Sequence, residues 1–298
     1  MSTEIPFRCI SLRLRTTRGK TSNEDVTTAT LQVRDLMALL LIVGSGTQIA
    51  RDLTIEACEC INESNVTFSL FSDLAELRRI CPTATILEIS QLYRDCVRDD
   101  ENYSRIVTKV GEALDSHQKV CLVLPGDSLF GVSLVHLLKQ AYPLAHVRSI
   151  PGISSFCHMS HGLGRDALEH GTLLVDANRL LLYRYALDAR NDVFVYHVCS
   201  VATSIVNFTN PSELNRWDLL QEYLLQYYPA GHQVHLVHAP TSADDSFHSK
   251  PVLLGTLQSY VKDVNYATTL FIPGIKSAVM DTKYLALLLR QSQADAFE

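Results

Sequence analysis

The chain has 298 residues, 47% apolar and 19% charged, with a formal net charge of -6. That length accommodates one large or two medium domains with buried cores. The charge balance excludes a general nucleic-acid binder, which needs surplus Lys and Arg to neutralise phosphates. The longest apolar run, LMALLLIVG at 36–44, is strand-sized and far short of the roughly 18 residues that span a bilayer, so no membrane role is expected.

Residues 1–35 are rich in Arg, Ser and Thr and read as a partly ordered N-terminal arm outside the core fold. From residue 36 onward, apolar runs alternate with amphipathic stretches. Strands are expected at 37–43, 66–71, 84–89, 119–124 and 146–150, and helices near 50–63, 73–80, 101–116 and 129–141. Near-continuous apolar strands separated by helices predict a parallel sheet buried on both faces. Its strand C-termini then share one edge, where open α/β sheets bind ligands. The second half has strand candidates at 172–176, 192–198, 232–239 and 267–272, with fewer and longer connections and a helix at 212–227, and predicts a more mixed sheet. Pro151-Gly152 marks the boundary between domains at 36–150 and 151–280, and 281–298 is a short helix-like tail.

Three glycine turns close strands of the first half: GSG at 44–46, PGDS at 125–128 and PGISS at 151–155. Each alone is a turn. Together on one edge they make a cleft with exposed backbone donors and acceptors, suited to a polar small molecule. The first turn lacks the third Gly and the later acidic residue of a dinucleotide fingerprint. His232, His235 and His238 recur at a spacing that points neighbours to opposite faces of a strand, and His158 with His161 has no further ligand, so no metal site is expected. The eight cysteines form no CxxC pair and no signal peptide precedes them, so reduced, buried thiols in a cytoplasmic protein are expected. The segment QLYRDCVRDDENYS (91–104) reads from composition as a solvated helix start whose acids complement the helix dipole. Its other reading is two phenols lining a pocket, with a guanidinium between them.

The order of turns and strand ends, IVGSGT, PGDSLFG, IPGISS, YHVCS, HLVHAP and TTLFIP, resembles the tetrapyrrole methylase superfamily of S-adenosylmethionine-dependent methyltransferases over about residues 38–275. QLYRDCVRDDENY, the 219–240 helix and strand, and TTLFIP are similar to borosin-type peptide backbone N-methyltransferases. The resemblance implies two α/β domains with the cofactor S-adenosylmethionine in the cleft between them, and a homodimer. It implies donor contacts at Pro125, Gly126, Asp127 and Leu129, at Ser154 and Ser155, at His197 and Val198, and at Ala239 and Pro240. It places the first glycine turn toward the acceptor. Tyr93 and Tyr103 match the family's two tyrosines. A gapless alignment puts Asp99 where the family has Arg, with Arg98 one position away, and Asp127 where borosins have His. Because the chain stops soon after the core, the resemblance implies that a peptide substrate would be a separate precursor chain. An amide must lose its proton to accept a methyl group, so Tyr93 or Tyr103 is expected to serve as base, with Arg98 favouring its phenolate. A corrin, porphyrin or other small acceptor, and a catalytically inactive partner subunit, are the alternatives.

Overall fold

The structure is a computed structural model, described for residues 38–275 and 280–294; the expectations for the N-terminal arm lie outside the described residues. From residue 38 the chain forms one compact unit built on two five-stranded sheets. The first sheet contains β1 (Leu39–Gly44), β2 (Val66–Ser69), β3 (Ile86–Glu88), β4 (Lys119–Leu124) and β5 (His146–Ile150), in the order β3-β2-β4-β1-β5. Every pairing is parallel. The reason lies in the two-sided burial of its central strands. Leu40 and Ile42 of β1 pack with Leu122 and Leu124 in one cluster, while Leu41 and Val43 join Cys121 and Val123 in another on the opposite face. Side chains alternate across a strand, so burial of both faces requires an unbroken apolar run.

Helices cover both faces. α1 (Ile49–Asp52), α2 (Ile55–Asn62) and α3 (Ala75–Ile80) lie in the first half, followed by α4 (Asp99–Leu114) and α5 (Leu134–Ala141). Ile106 and Val110 of α4 and Leu134 and Leu138 of α5 pack against one sheet face; Ala57 and Ile61 of α2 and Leu77 of α3 pack against the other. The expected helix at 50–63 is split in two. The Asp52 carboxylate accepts from the backbone N–H groups of Thr47 and Gln48 at 3.0 and 2.9 Å, and Thr54 restarts the chain as the cap of α2, accepting from Ala57 N–H at 3.2 Å.

The second sheet contains β6 (Thr172–Asp176), β7 (Asp192–Tyr196), β8 (Gln233–His238), β9 (His248–Leu253) and β10 (Thr268–Ile272), in the order β6-β7-β10-β8-β9. β6 and β7 are parallel and the other pairings antiparallel, so the sheet is mixed as expected. Strand β9 escaped the sequence pattern because it carries Lys250 and Pro251; both are tolerated there because β9 is an edge strand. α6 (Ser155–Leu163) and α7 (Ala177–Tyr183) also went unassigned, while α8 (Trp217–Leu224) starts later than its expected Ser212 signal. The Ser212 hydroxyl donates to Asn210 Oδ1 at 2.7 Å instead of capping a helix. Trp217, buried in the second core, opens α8, and α9 (Thr282–Ala294) follows the second sheet.

Cys60, Cys81, Cys121 and Cys199 are buried free thiols, whereas Cys96 and Cys157 are exposed, which corrects the expectation for those two. No described helix is long and apolar enough to cross a membrane.

Candidate active site

The three glycine turns meet at the C-terminal edge of the first sheet. Gly46 and Gly126 form a two-way backbone bridge, with N–H···O distances of 3.0 and 2.9 Å. A Cβ on Gly152 would lie 2.4 Å from Gly126 O, and one on Gly44 would lie 2.7 Å from the same oxygen. These glycines let three backbones touch, which no side chain permits. Hydroxyls lock the arrangement: Ser45 Oγ donates to Leu124 O at 3.1 Å, and Ser128 Oγ donates to Ile150 O at 3.0 Å. Asp127 Oδ2 accepts from Gly152 N–H at 3.0 Å while Oδ1 accepts from Leu129 N–H at 2.9 Å. Both oxygens of that carboxylate are thus committed to holding the second turn against the third.

Above this floor lies a cavity of about 760 Å³, within the usual size of a small-molecule site. Pro125, Gly126 and Asp127 form one side with Phe130, and Tyr196, His197, Ala239 and Pro240 of the second half form the other, with Ser155 at the rim. Gly126 has φ of +72°, and a Cβ there would meet nothing within 4 Å. Its free face therefore opens onto the cavity. Three expected contacts lie elsewhere. Leu129 is 62% exposed, Val198 is fully buried in the second core, and Ser154 precedes α6 with its hydroxyl 3.6 Å from Cys157 Sγ. The first glycine turn contributes Thr47 to this same cavity and otherwise packs on the other two turns.

A second cavity of about 530 Å³ adjoins the first; Gly131, Val132, His197 and Tyr266 line both. Tyr93 and Tyr103 are in its wall, their rings 5.8 Å apart. The 95–99 segment, read from composition as solvated, is clasped to the second half. Cys96 N–H donates to Val206 O at 2.8 Å, Val206 N–H to Val97 O at 2.9 Å, and Asp99 N–H to Ser204 O at 3.0 Å. Asp95 accepts from Phe208 N–H at 2.6 Å and from the Thr209 hydroxyl at 2.8 Å.

The expected charge partner of the tyrosines is corrected here. Arg98 forks onto Asp100 with two contacts of 3.0 Å and is exposed. The group that meets the phenols is Asp99, which accepts a short hydrogen bond from Tyr93 Oη. Burial, then the Tyr103 phenol and Asp99, push the Tyr93 phenol well above its ordinary range. Burial and the Asp99 charge push Tyr103 up to about 12. Burial raises Asp99 as well. The arrangement therefore favours protonated phenols, the opposite of what a guanidinium would do.

His197 stands between the two cavities. It follows β7 with φ of +54°, and its Nδ1 lies 2.7 Å from Asp176 Oδ2. Asp176 ends β6, and its Oδ1 accepts from Arg179 N–H at 2.7 Å. Burial opposes the charge on Asp176, but the hydrogen bonds from His197 and from the Arg179 backbone outweigh it and hold the carboxyl below its usual range. Asp176 was not singled out from the sequence. The available signal was positional: β6 and β7 are parallel with Asp176 opposite Tyr196, so Asp176 and His197 sit at neighbouring strand ends.

The histidines of β8 do not converge. His232 bonds to Pro273 O, His235 to the Ser249 hydroxyl and His238 to Asp245 Oδ2. Among the described residues no group of His, Cys, Asp or Glu is arranged to hold a metal.

A parallel α/β half joined to a mixed one, with a glycine-lined cavity between them, defines a fold of two α/β domains. The family model for tetrapyrrole (corrin/porphyrin) methylases matches residues 39–253, and the chain belongs to that family. In fold it is similar to the methyltransferase CobJ, with a TM-score of 0.58 at 15% identity, covering 82% of this chain and 97% of that one. It is also similar to the cobalamin biosynthetic enzyme cobalt precorrin-4 methyltransferase CbiF (TM-score 0.53, 12% identity, 81% and 96% covered). A third is uroporphyrin III C-methyl transferase from Thermus thermophilus (0.52, 14%, 79% and 92%). A search of curated proteins finds no match.

The methyl donor of this family, S-adenosylmethionine, fits the residues present. The cavity offers apolar walls at Phe130, Ala239 and Pro240, open space before Gly126, and the buried Tyr196 hydroxyl, which has no hydrogen-bond partner in the protein. An orphaned buried hydroxyl in a cavity wall is suited to a ligand's polar atom.

Proposed function

We propose that this protein transfers a methyl group from S-adenosylmethionine in the first cavity to an acceptor in the second. The observation that carries this reading is the adjoining of the two cavities along Gly131, Val132, His197 and Tyr266. When bound, the donor supplies a methyl group activated on a sulfonium, so the protein's task is alignment. Pro125, Gly126, Asp127 and Ser155 would hold it from one side, and Tyr196, Ala239 and Pro240 from the other.

For the acceptor we favour the backbone of a separate peptide, in keeping with the borosin resemblance. The second cavity sets Asp99 and Asp176 against the guanidinium of Arg179, among the phenols of Tyr93, Tyr103 and Tyr266. A macrocycle bearing many carboxylates meets like charge there, whereas a neutral amide does not. Tyr103 serves as a neutral hydroxyl beside the acceptor, since its phenol resists ionisation. A corrin or porphyrin acceptor is the second reading, supported by the family and by the methyltransferases that the chain is similar to in fold. A homodimer belongs to the same proposal and is tested by light scattering of the purified chain.

Calorimetry with S-adenosylhomocysteine tests the donor half. Saturable binding is expected; no binding would leave the inactive-subunit alternative. The acceptor half is tested by incubating the chain and donor with peptides encoded by adjacent genes. Mass gains of about 14 Da per methyl on a peptide are expected. Gains on a corrin or porphyrin and on none of the peptides would overturn the peptide assignment.

A further inference from the structure

Methyl transfer to an atom that carries hydrogen needs a proton acceptor, and the geometry above disqualifies the phenols. Tyr93 already donates to Asp99, and both phenols are biased toward their protonated forms. We propose that His197 is the proton acceptor of the reaction, positioned by Asp176. This rests on the methyltransferase reading and deepens it.

An ionised carboxylate only accepts hydrogen bonds. Asp176 Oδ2 lies 2.7 Å from His197 Nδ1, so in the neutral ring Nδ1 carries the hydrogen and Nε2 keeps its lone pair. The same carboxylate is fixed through its other oxygen by the Arg179 backbone N–H, the first turn of α7. The ring is therefore oriented by a group that is itself anchored. Nε2 faces the place where the cavities join: a Cβ built on Gly131, which lines both, would lie 3.5 Å from His197 Nε2 and Cε1. Asp99, Arg179, Tyr93, Tyr103 and Tyr266 line the acceptor cavity around it.

The backbone supports this reading. His197 holds φ of +54°, a left-handed conformation that is strained for a non-glycine residue. Gly would remove that strain and would also remove the imidazole. Strained residues that persist in a cavity wall are where function is sought.

The acceptor atom's electron pair forms the bond to the methyl carbon, and the C–S pair stays with sulfur. The acceptor's hydrogen passes as a proton to His197 Nε2, giving an imidazolium whose Nδ1–H remains on Asp176. Exchange of that proton with solvent restores the ring.

The test uses the full chain and needs no acceptor. Nitrogen-15 histidine spectra at mildly alkaline pH are expected to show His197 protonated at Nδ1 and bare at Nε2. Asp176→Asn is expected to abolish that preference, and a merely structural Asp176 would leave it unchanged. His197→Asn keeps an amide near the Nδ1 position and tolerates a left-handed backbone, so the fold and donor site should survive. Its affinity for S-adenosylhomocysteine is expected within about threefold of wild type. An Nε2–H tautomer in the wild type, or a loss of about tenfold or more in that affinity, would overturn the proposal; the second result makes His197 a donor contact instead. Absence of S-adenosylhomocysteine binding in the wild type sinks the methyltransferase reading and this inference with it. Normal binding with the wrong tautomer sinks this inference alone.

Discussion

Gly126 and Gly152 lie in two turns that touch, yet adding a methyl group to each should fail in opposite ways. At Gly152 the new Cβ would lie 2.4 Å from Gly126 O and 2.7 Å from both the carbonyl carbon and oxygen of Gly44. Those atoms are backbone, tied by the Gly46–Gly126 bridge and the Asp127–Gly152 hydrogen bond, so none can swing aside. Overpacking costs about 1–3 kcal/mol, and three backbone contacts in locked loops put Gly152→Ala at the upper end, about 3 kcal/mol. At Gly126 the new Cβ meets nothing within 4 Å. The cost to folding is the left-handed backbone alone, about 1–2 kcal/mol, but the methyl projects into the first cavity. Gly126→Ala should therefore fold and lose affinity for S-adenosylhomocysteine by about tenfold or more, about 1.4 kcal/mol. Urea denaturation without ligand and calorimetry with it separate the two effects. Unchanged stability of Gly152→Ala, or wild-type affinity in Gly126→Ala, would refute the packing argument or the place of the donor.

Three further outcomes follow from the same contacts. Removing the Asp127 carboxylate by Asp127→Ala leaves the Gly152 and Leu129 N–H groups without that partner and should destabilise by about 1–3 kcal/mol in urea; Asn, which keeps one acceptor, should recover part of the loss, and equal losses in the two variants would contradict the two-contact role. Tyr103 should titrate near 12 by ultraviolet absorbance, above the value of about 10 for a model tyrosine. Because its folded value is raised, the stability it contributes is complete below about pH 10 and fades as pH rises through 12; a single tyrosine transition near 10 would show that the pair is not shielded. Asp95→Ala should open the clasp, seen as faster hydrogen exchange at the Val206 and Phe208 amides with no change in the β4 core, and unchanged exchange there would mean that Asp95 holds nothing.

Much of the first half was legible in the sequence because one physical signal dominates it. β1 and β4 are apolar without interruption, which only a sheet covered on both faces requires, and the glycine turns then fall on one edge by topology. The second half was less legible where edges and local hydrogen bonds intervene. Pro251 disguises β9, and Asn210 diverts Ser212 from a cap. In the site, glycine spacing pointed to Gly126. It could not show that Asp127 is occupied by Gly152 and Leu129, because that depends on a contact between turns 25 residues apart. The tyrosine segment was legible in part: its acids do open α4, but its clasp to the second half was hidden for the same kind of reason. Composition shows acids at a helix start, while the decisive partners, Ser204, Val206 and Phe208, come about a hundred residues later.

The left-handed residues draw these threads together. Four described non-glycine residues have positive φ: Cys96, Arg184, His197 and Ala202. Three lie in the two segments, 93–103 and 197–206, whose residues wall the second cavity. The first cavity meets the same geometric demand with glycines, at Gly126 and at Gly131, where it borders the second. The difference is chemical. Where a ligand lies against backbone, a missing side chain makes room, and glycine relieves the strain at no cost in function. Where a side chain must act, the strain has to be carried by the residue that acts, and at His197 the strained backbone presents the imidazole to Asp176 on one side and to both cavities on the other. On the proposed role of His197, glycine marks the wall a ligand lies against and the strained histidine marks the residue that acts.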